Sequence, residues 1–416
     1  MSPTRQASGD SDREEFLPAM PVVAPRPRVL VVQPSLQPPG GGNAVAAWMI
    51  EALKGPYDLS VLSWVPLEPD AINEYYGTSI ALDDVRPLTL PGWLRKPFEA
   101  LPTSAVLLKA SMLFRYAKRM APEFDAVVCG HNEADFGPRS IQYVHYPARL
   151  RPRPKVDLRW YHPSFALEPY YALCERVARL DPGAVSAALT LANSTWTAGL
   201  VEELYRPTRP VRVVHPPVAA APAPLPWSQR ENGFVCIGRL APEKELERVV
   251  EIVGRVRRQE PDAHIHLIGS RGPRGYLRRV RQLAALHASW VHLHEDATRE
   301  QIFDMIARHR YGVHGMREEH FGIAPAEAAA GGCVVFVPNG GGQVDIVGRE
   351  ARLIYDSTED AVDKITSVMA DADAQAGLRA ALEARRAMFS TERFMETIRR
   401  TVAEVRAEGR FTASPS

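Results

Sequence analysis

Short uninterrupted apolar runs recur along this chain with helix-length segments between them, and that alternation restricts the fold more than any other feature. RVLVVQP, opening at Arg28, is the first run, and further strands are read at residues 58–64, 126–130, 141–146, 188–192 and 211–215. A Pro-rich passage at 216–227 reads as a linker. The pattern then restarts, with strands at 234–238, 264–269, 291–294, 311–316, 334–338 and 351–355. Helices are read between them at 246–258, 276–287, 299–308 and 323–330. Strands apolar on both faces and separated by helices require a mostly parallel sheet covered on both sides. The fold class is therefore α/β, with two doubly wound, Rossmann-like domains. Asn43 is read as the N-cap of the first helix, and residues 1–27, rich in Ser, Asp, Glu and Pro, as a disordered tail.

A chain of 416 residues with 45% hydrophobic content can bury two cores of roughly 150 to 200 residues each. Its 50 Lys+Arg are balanced by 49 Asp+Glu, which leaves no global field to steer a polyanion and argues against a nucleic-acid partner. Cys129, Cys174, Cys236 and Cys333 are far apart and show no paired metal spacing, as expected of reduced core residues. No apolar run reaches the roughly 18 to 20 residues that span a bilayer, and the N-terminus is polar rather than basic and apolar. The expected localisation is cytoplasmic.

Open α/β sheets bind ligands outside the carboxyl ends of their strands, and the informative motifs fall there. Residues 318–332 read EEHFGIAPAEAAAGG, with Glu319 and Glu327 separated by seven residues across Phe321-Gly322 and the start of an apolar helix. Pro325 suits the first helical turn and Gly331 the stop. The first turn has amides without intrahelical acceptors, so those near Phe321, Gly322 and Ile323 can hold a diphosphate. A carboxylate accepts two hydrogen bonds from a cis-diol, so Glu327 suits a ribose, while Glu319 addresses hydroxyls of a donor sugar. Arg239 and Lys244, in GRLAPEK after a strand, are two cations on adjoining backbone, placed to stabilise charge on a departing diphosphate. Gly40, Gly41, Gly42 and Asn43 follow the first strand, where backbone amides can meet phosphate or sugar. Neither a Walker loop nor the dinucleotide fingerprint is present there.

The two-glutamate segment resembles the donor-site motif of family 4 retaining glycosyltransferases, and GRLAPEK is similar to that family's Gly-Arg-x-x-Pro-Glu-Lys. The resemblance implies the GT-B architecture, two doubly wound domains facing a cleft. It implies transfer of a hexose from a nucleotide sugar without metal or other cofactor. A histidine ending a first-domain strand reaches the donor sugar in that family, so the resemblance assigns sugar positioning to His145. The expected site comprises His145, Arg239, Lys244 and Glu319 as catalytic residues, with Gly41, Gly42, Phe321, Gly322, Ile323 and Glu327 holding the donor. Domains are expected at 28–217 (acceptor side) and 218–390 (donor side), with 391–416 forming a helix that crosses back, then a tail.

The stretch from about residue 28 to 347 is most similar to the GDP-mannose-dependent α-1,2-mannosyltransferases of dolichol-linked oligosaccharide assembly. The shared passages include the glycine loop, Tyr143-Val144-His145-Tyr146-Pro147, Asn193-Ser194-Thr195-Trp196-Thr197 and Val313-His314-Gly315-Met316. The chain departs from them in lacking an N-terminal membrane helix and in its alanine-rich donor helix. The resemblance implies mannose from GDP-mannose as the donor, with a UDP-sugar or a catalytically silent binding protein as the alternatives. The acceptor class stays open among glycan, glycolipid and small molecule.

Three other features were weighed. Residues 93–119 mix apolar and aromatic residues with six cations and one acid, the pattern either of a basic amphipathic helix lying peripherally on an anionic membrane or of a helix whose Trp93, Phe98 and Phe114 belong to the first-domain core. The cluster Arg149, Arg151, Arg153, Lys155 and Arg159 could equally hold a phosphate-bearing acceptor. His264 with His266, and His292 with His294, alternate on strands and share a face. A metal there needs further ligands that the spacing does not supply, so no metal site is expected.

Overall fold

The computed structural model describes residues 25–38, 40–99, 105–148, 164–219 and 225–411. Its first sheet contains β1 (Arg28–Val32), β2 (Asp58–Ser63), β3 (Arg86–Thr89), β4 (Ala126–Cys129), β5 (Ser140–Val144), β6 (Leu189–Ala192) and β7 (Arg212–Val213), in the order β3-β2-β1-β4-β5-β6-β7. The second contains β8 (Glu231–Ile237), β9 (His264–Gly269), β10 (Val291–Glu295), β11 (His309–Val313), β12 (Val334–Pro338) and β13 (Ile354–Tyr355), in the order β10-β9-β8-β11-β12-β13. Each pairing is parallel. Strand order reverses at β1/β4 in one sheet and at β8/β11 in the other, and both reversals open onto the same cleft. This is the pair of doubly wound domains that the alternation of runs predicts.

The helices that cover the sheets are held by their buried stripes. In Leu246–Val256 the buried positions include Leu246, Val249, Val250, Val253 and Val256, the spacing of one helical face. The chain leaves the first domain once, and at the far end it comes back. Val218 donates its N–H to the Phe389 carbonyl (2.8 Å), and the helix Thr391–Phe411 then lays Phe394, Ile398, Val402 and Val405 into the core built by β1 and the helix Gly41–Leu53.

Several sequence expectations need correction. The first helix starts at Gly41, with Gly40 as its cap, and Asn43 sits inside its first turn. The Asn43 amide instead ties the preceding loop, donating to the Gln37 carbonyl (2.7 Å) and accepting from Gln33 Nε2 (3.1 Å). β3 was not anticipated, because RPLT is an edge strand with exposed residues and a proline, and carries no apolar run. Residues 93–119 are not one helix but two, Gly92–Glu99 and Val106–Met120. The second buries Leu113, Phe114 and Ala117 in the first domain, so its apolar face is core rather than free surface. Trp93 is 73% exposed. The expected tail falls mostly, and the Arg149–Arg159 cluster wholly, outside the described residues.

Candidate active site

A cavity of about 700 Å³ lies between the domains at the carboxyl ends of both sheets. All ten residues expected from the sequence line it: Gly41, Gly42 and His145 from the first domain, and Arg239, Lys244, Glu319, Phe321, Gly322, Ile323 and Glu327 from the second. They are brought there by topology, since Gly41 follows β1, His145 follows β5, Arg239 follows β8 and Glu319 follows β11. The two walls are close. A Cβ on Gly41 would lie 2.8 Å from Ile323 Cδ1 across the cleft, and one on Gly42 would lie 3.3 Å from His145 Nε2.

Lys244 and Glu319 form a partly buried ion pair in the second-domain wall, and His314 Nε2 lies 3.0 Å from the same carboxylate oxygen. Burial alone would raise the Glu319 pKa. The Lys244 charge and the His314 hydrogen bond outweigh it and hold the carboxyl well below its ordinary range. The loop carrying Glu319 rests on a glycine tract that the sequence reading passed over. Gly342 donates its N–H to the Glu319 carbonyl (2.7 Å), and Gly341, at φ +67°, would place a Cβ 2.3 Å from that carbonyl oxygen. Only glycine fits that approach.

Gly322 caps the helix Ile323–Ala330 in the left-handed region (φ 100°), leaving the first-turn amides directed at the cavity. One turn on, Glu327 is 8% exposed and receives a hydrogen bond from Arg299 Nη2 at 2.9 Å. Here burial prevails over the Arg299 charge, and the Glu327 pKa is raised. Arg299 lies over the Phe303 ring (4.8 Å), which orients the guanidinium. From the opposite wall Tyr75 comes within electrostatic reach of both Arg299 and Glu327. Arg239 is half exposed at the rim and pairs with Glu243.

His145 is pushed down to about 4, chiefly by burial, so it is neutral at pH 7. Its Nε2 lies 2.9 Å from the Gly130 carbonyl, which can only accept, so the proton resides on Nε2. Phe321 contributes backbone to the cavity while its side chain packs on His215 (5.5 Å) and Phe389 (5.8 Å). Residues 293–296, at the end of β10, do not line this cavity, and Glu295 is engaged by Arg271 and Arg281.

The domains are latched beside the cavity. Ser194 caps the helix Thr195–Tyr205 as expected, accepting from the Thr197 N–H, and its hydroxyl also donates to the His320 carbonyl (2.7 Å). Thr195 N and Oγ1 donate to the two Asp345 oxygens at 2.7 and 2.6 Å. The His320 ring stacks on Tyr146 with centroids 4.1 Å apart and planes within 6°. Arg299, Tyr75, His314 and the 340–342 tract have no motif of their own. Each is identified only through the partner that folding brings to it.

Residues 219–385 match the family described as "Glycosyl transferases group 1". The GDP-Man:Man(3)GlcNAc(2)-PP-Dol alpha-1,2-mannosyltransferase of Neurospora crassa is 31% identical over 209 residues, 43% of this chain and 37% of that protein. The Homo sapiens enzyme of the same name is 24% identical over 238 residues, 52% of this chain and 48% of that one. The chain thus spans less than half the length of these curated relatives. Among solved structures, the sucrose-phosphate synthase of Thermosynechococcus elongatus superposes with TM-score 0.66 at 15% identity over 94% of this chain and 100% of that one. The Anabaena HepE protein in complex with UDP-glucose gives 0.63 at 14% identity over 91% of this chain and 100% of that one.

Proposed function

We propose, from the match of residues 219–385 to the glycosyl transferases group 1 family and from the GT-B fold, that this chain is a retaining, metal-independent glycosyltransferase moving mannose from GDP-mannose to an acceptor hydroxyl. The observation that carries the reading is the assembly, in one interdomain cavity, of three cations, two carboxylates and a helix N-terminus. The names of the curated relatives support the choice of donor.

The site holds its charges against one another: Lys244 with Glu319, Arg299 with Glu327, Arg239 with Glu243. A bound nucleotide diphosphate rearranges these pairs. The diphosphate lies at the amides of the Ile323–Ala330 helix and takes Lys244 and Arg239 as counter-cations, which frees Glu319 for hydroxyls of the donor sugar. Glu327 accepts from the ribose diol, with Arg299 holding its carboxylate in place. His145, neutral and fixed through Gly130, positions the sugar from the first domain. As the glycosidic bond breaks, charge grows on the leaving phosphate, and the two cations stabilise that state more than the ground state. The departing phosphate accepts the proton of the acceptor hydroxyl on the same face, so configuration at the anomeric carbon is retained. The protein's contribution is positioning and charge.

A thermal-shift panel of GDP, UDP and ADP sugars tests the donor. A ligand at about 100 times its dissociation constant adds roughly 2.7 kcal/mol of stability. Stabilisation by GDP-mannose and not by UDP-glucose is expected, and the reverse result overturns the donor assignment. An α-linked product from the α-linked donor, read by NMR, is expected of retention. Donor binding without transfer or hydrolysis would instead indicate a silent binding protein.

A further inference from the structure

At the opposite end of the second sheet from the cleft, three strands bring histidines and a carboxylate together. His264 opens β9, His309 opens β11, and Glu231 opens β8 between them, while His266 stands two residues along β9 on the same face as His264. Each of His264, His266 and His309 offers a ring nitrogen, and the three nitrogens lie within 4.8 Å of one another. The alternating pairs of the sequence lacked further ligands for a metal. His309 and Glu231 supply them, from 45 residues downstream and 33 upstream of His264.

The hydrogen bonds fix the state of two rings. His264 Nδ1 lies 3.1 Å from the Asp262 carbonyl and His309 Nδ1 lies 2.6 Å from the Met305 carbonyl. A carbonyl only accepts, so both Nδ1 atoms carry a proton, and each ring turns its Nε2 towards the other. Those two Nε2 atoms face each other at 3.2 Å, and the Glu231 Oε2 lies 3.3 Å from one and 3.9 Å from the other. Two ring nitrogens and a carboxylate oxygen thus converge on one point, an arrangement that a shared cation satisfies. An Nδ1–H held by a backbone carbonyl is also the usual way in which a ligating imidazole is oriented. The backbone makes room for the rings: a Cβ on Gly233 would lie 2.4 Å from both His264 Nε2 and His309 Cδ2.

We infer that His264, His266, His309 and Glu231 form a structural site for a divalent first-row transition metal, zinc in the cell, that ties together the amino-terminal ends of β8, β9 and β11. Three imidazoles and one carboxylate suit zinc in tetrahedral coordination, whereas magnesium and calcium prefer all-oxygen sets. His294, with Nε2 2.9 Å from His266 Nδ1, supports the third ligand from outside. The site lies across the sheet from the donor cavity and takes no part in transfer.

The test uses the full chain without a histidine tag, stripped with chelator. After incubation with zinc sulfate and desalting, one zinc per chain by elemental analysis and a rise in melting temperature of a few degrees are expected, because the metal binds only the folded site. Cobalt(II) in place of zinc is expected to give the intense visible bands of four-coordinate geometry. The double variant His264→Ala, His309→Ala should lose both signals, and His292→Ala, at the edge of the cluster, should keep them. Zinc below about 0.2 per chain with no cobalt bands in the wild-type protein would overturn the site, whether or not the double variant folds. Equal retention by the double variant would overturn the ligand assignment.

Discussion

Lys244 and Glu319 neutralise each other in the cleft, so each substitution there has two consequences, one for the chemistry and one for the partner left behind. Lys244→Met and Arg239→Ala are each expected to lower kcat by about a hundredfold to a thousandfold at saturating donor, the scale of losing one preorganised charge stabiliser. Wild-type turnover in both would eliminate the proposed clamp. Glu327 makes a different prediction, because burial raises its pKa despite Arg299. A carboxyl whose folded pKa exceeds its unfolded value costs nothing below the unfolded value of about 4.5 and destabilises the fold increasingly as pH rises through the folded value. Glu327→Gln should therefore gain stability relative to wild type between pH 4 and pH 7 while weakening donor binding by about 1.5 to 3 kcal/mol. Thermal melts at the two pH values and donor titrations check both halves, and a stability difference independent of pH would refute the first. The charged residues of the motifs could be read from the sequence because their spacing is local. Arg299 could not, since its partner lies 28 residues on, beyond β11 in the helix Ile323–Ala330.

At the level of elements, the helices Arg299–Arg308 and Ile323–Ala330 and the strand Val334–Pro338 have the limits that the sequence predicts. Thr298 forms a capping box with Gln301, and a left-handed glycine opens the donor helix, so these boundaries are written in local chemistry. Strand ends were read less well. β11 starts and stops two or three residues before the predicted run, because His314 and Met316 are apolar-flanked loop residues held by long-range partners such as Tyr355 and Gln343. The glycine loop offers an element-scale test. Gly41→Val should push against Ile323 across the cleft and lower kcat/KM by about tenfold, with Ile323→Ala restoring part of the loss. Contacting residues couple by roughly 0.5 kcal/mol or more, so strictly additive losses in the double variant would show that the two walls do not meet during turnover.

Over the whole molecule, no helix among the described residues is long and apolar enough to cross a membrane. The apolar face of Val106–Met120 is already spent on the first core, which leaves Trp93, Lys96, Val106 and Arg119 among the exposed residues of that region. Peripheral binding to anionic liposomes is accordingly expected to be weak at low salt and abolished at high salt, since basic side chains contribute on the order of 1 kcal/mol each near such a surface and screening removes it. Flotation that survives high salt would mean insertion of apolar side chains rather than attraction of charge. The return of the helix Thr391–Phe411 to the first core bears on a different matter, the order in which the chain is made. Domains of a nascent chain generally fold as they emerge, the N-terminal one first. Here the opening strand Arg28–Val32 and the helix after it keep a vacant groove until Phe394, Ile398, Val402 and Val405 have been synthesised. The half of the chain translated first is thus completed last, after the second domain has formed, and on the ribosome its unfilled core is the surface that a chaperone would have to shield.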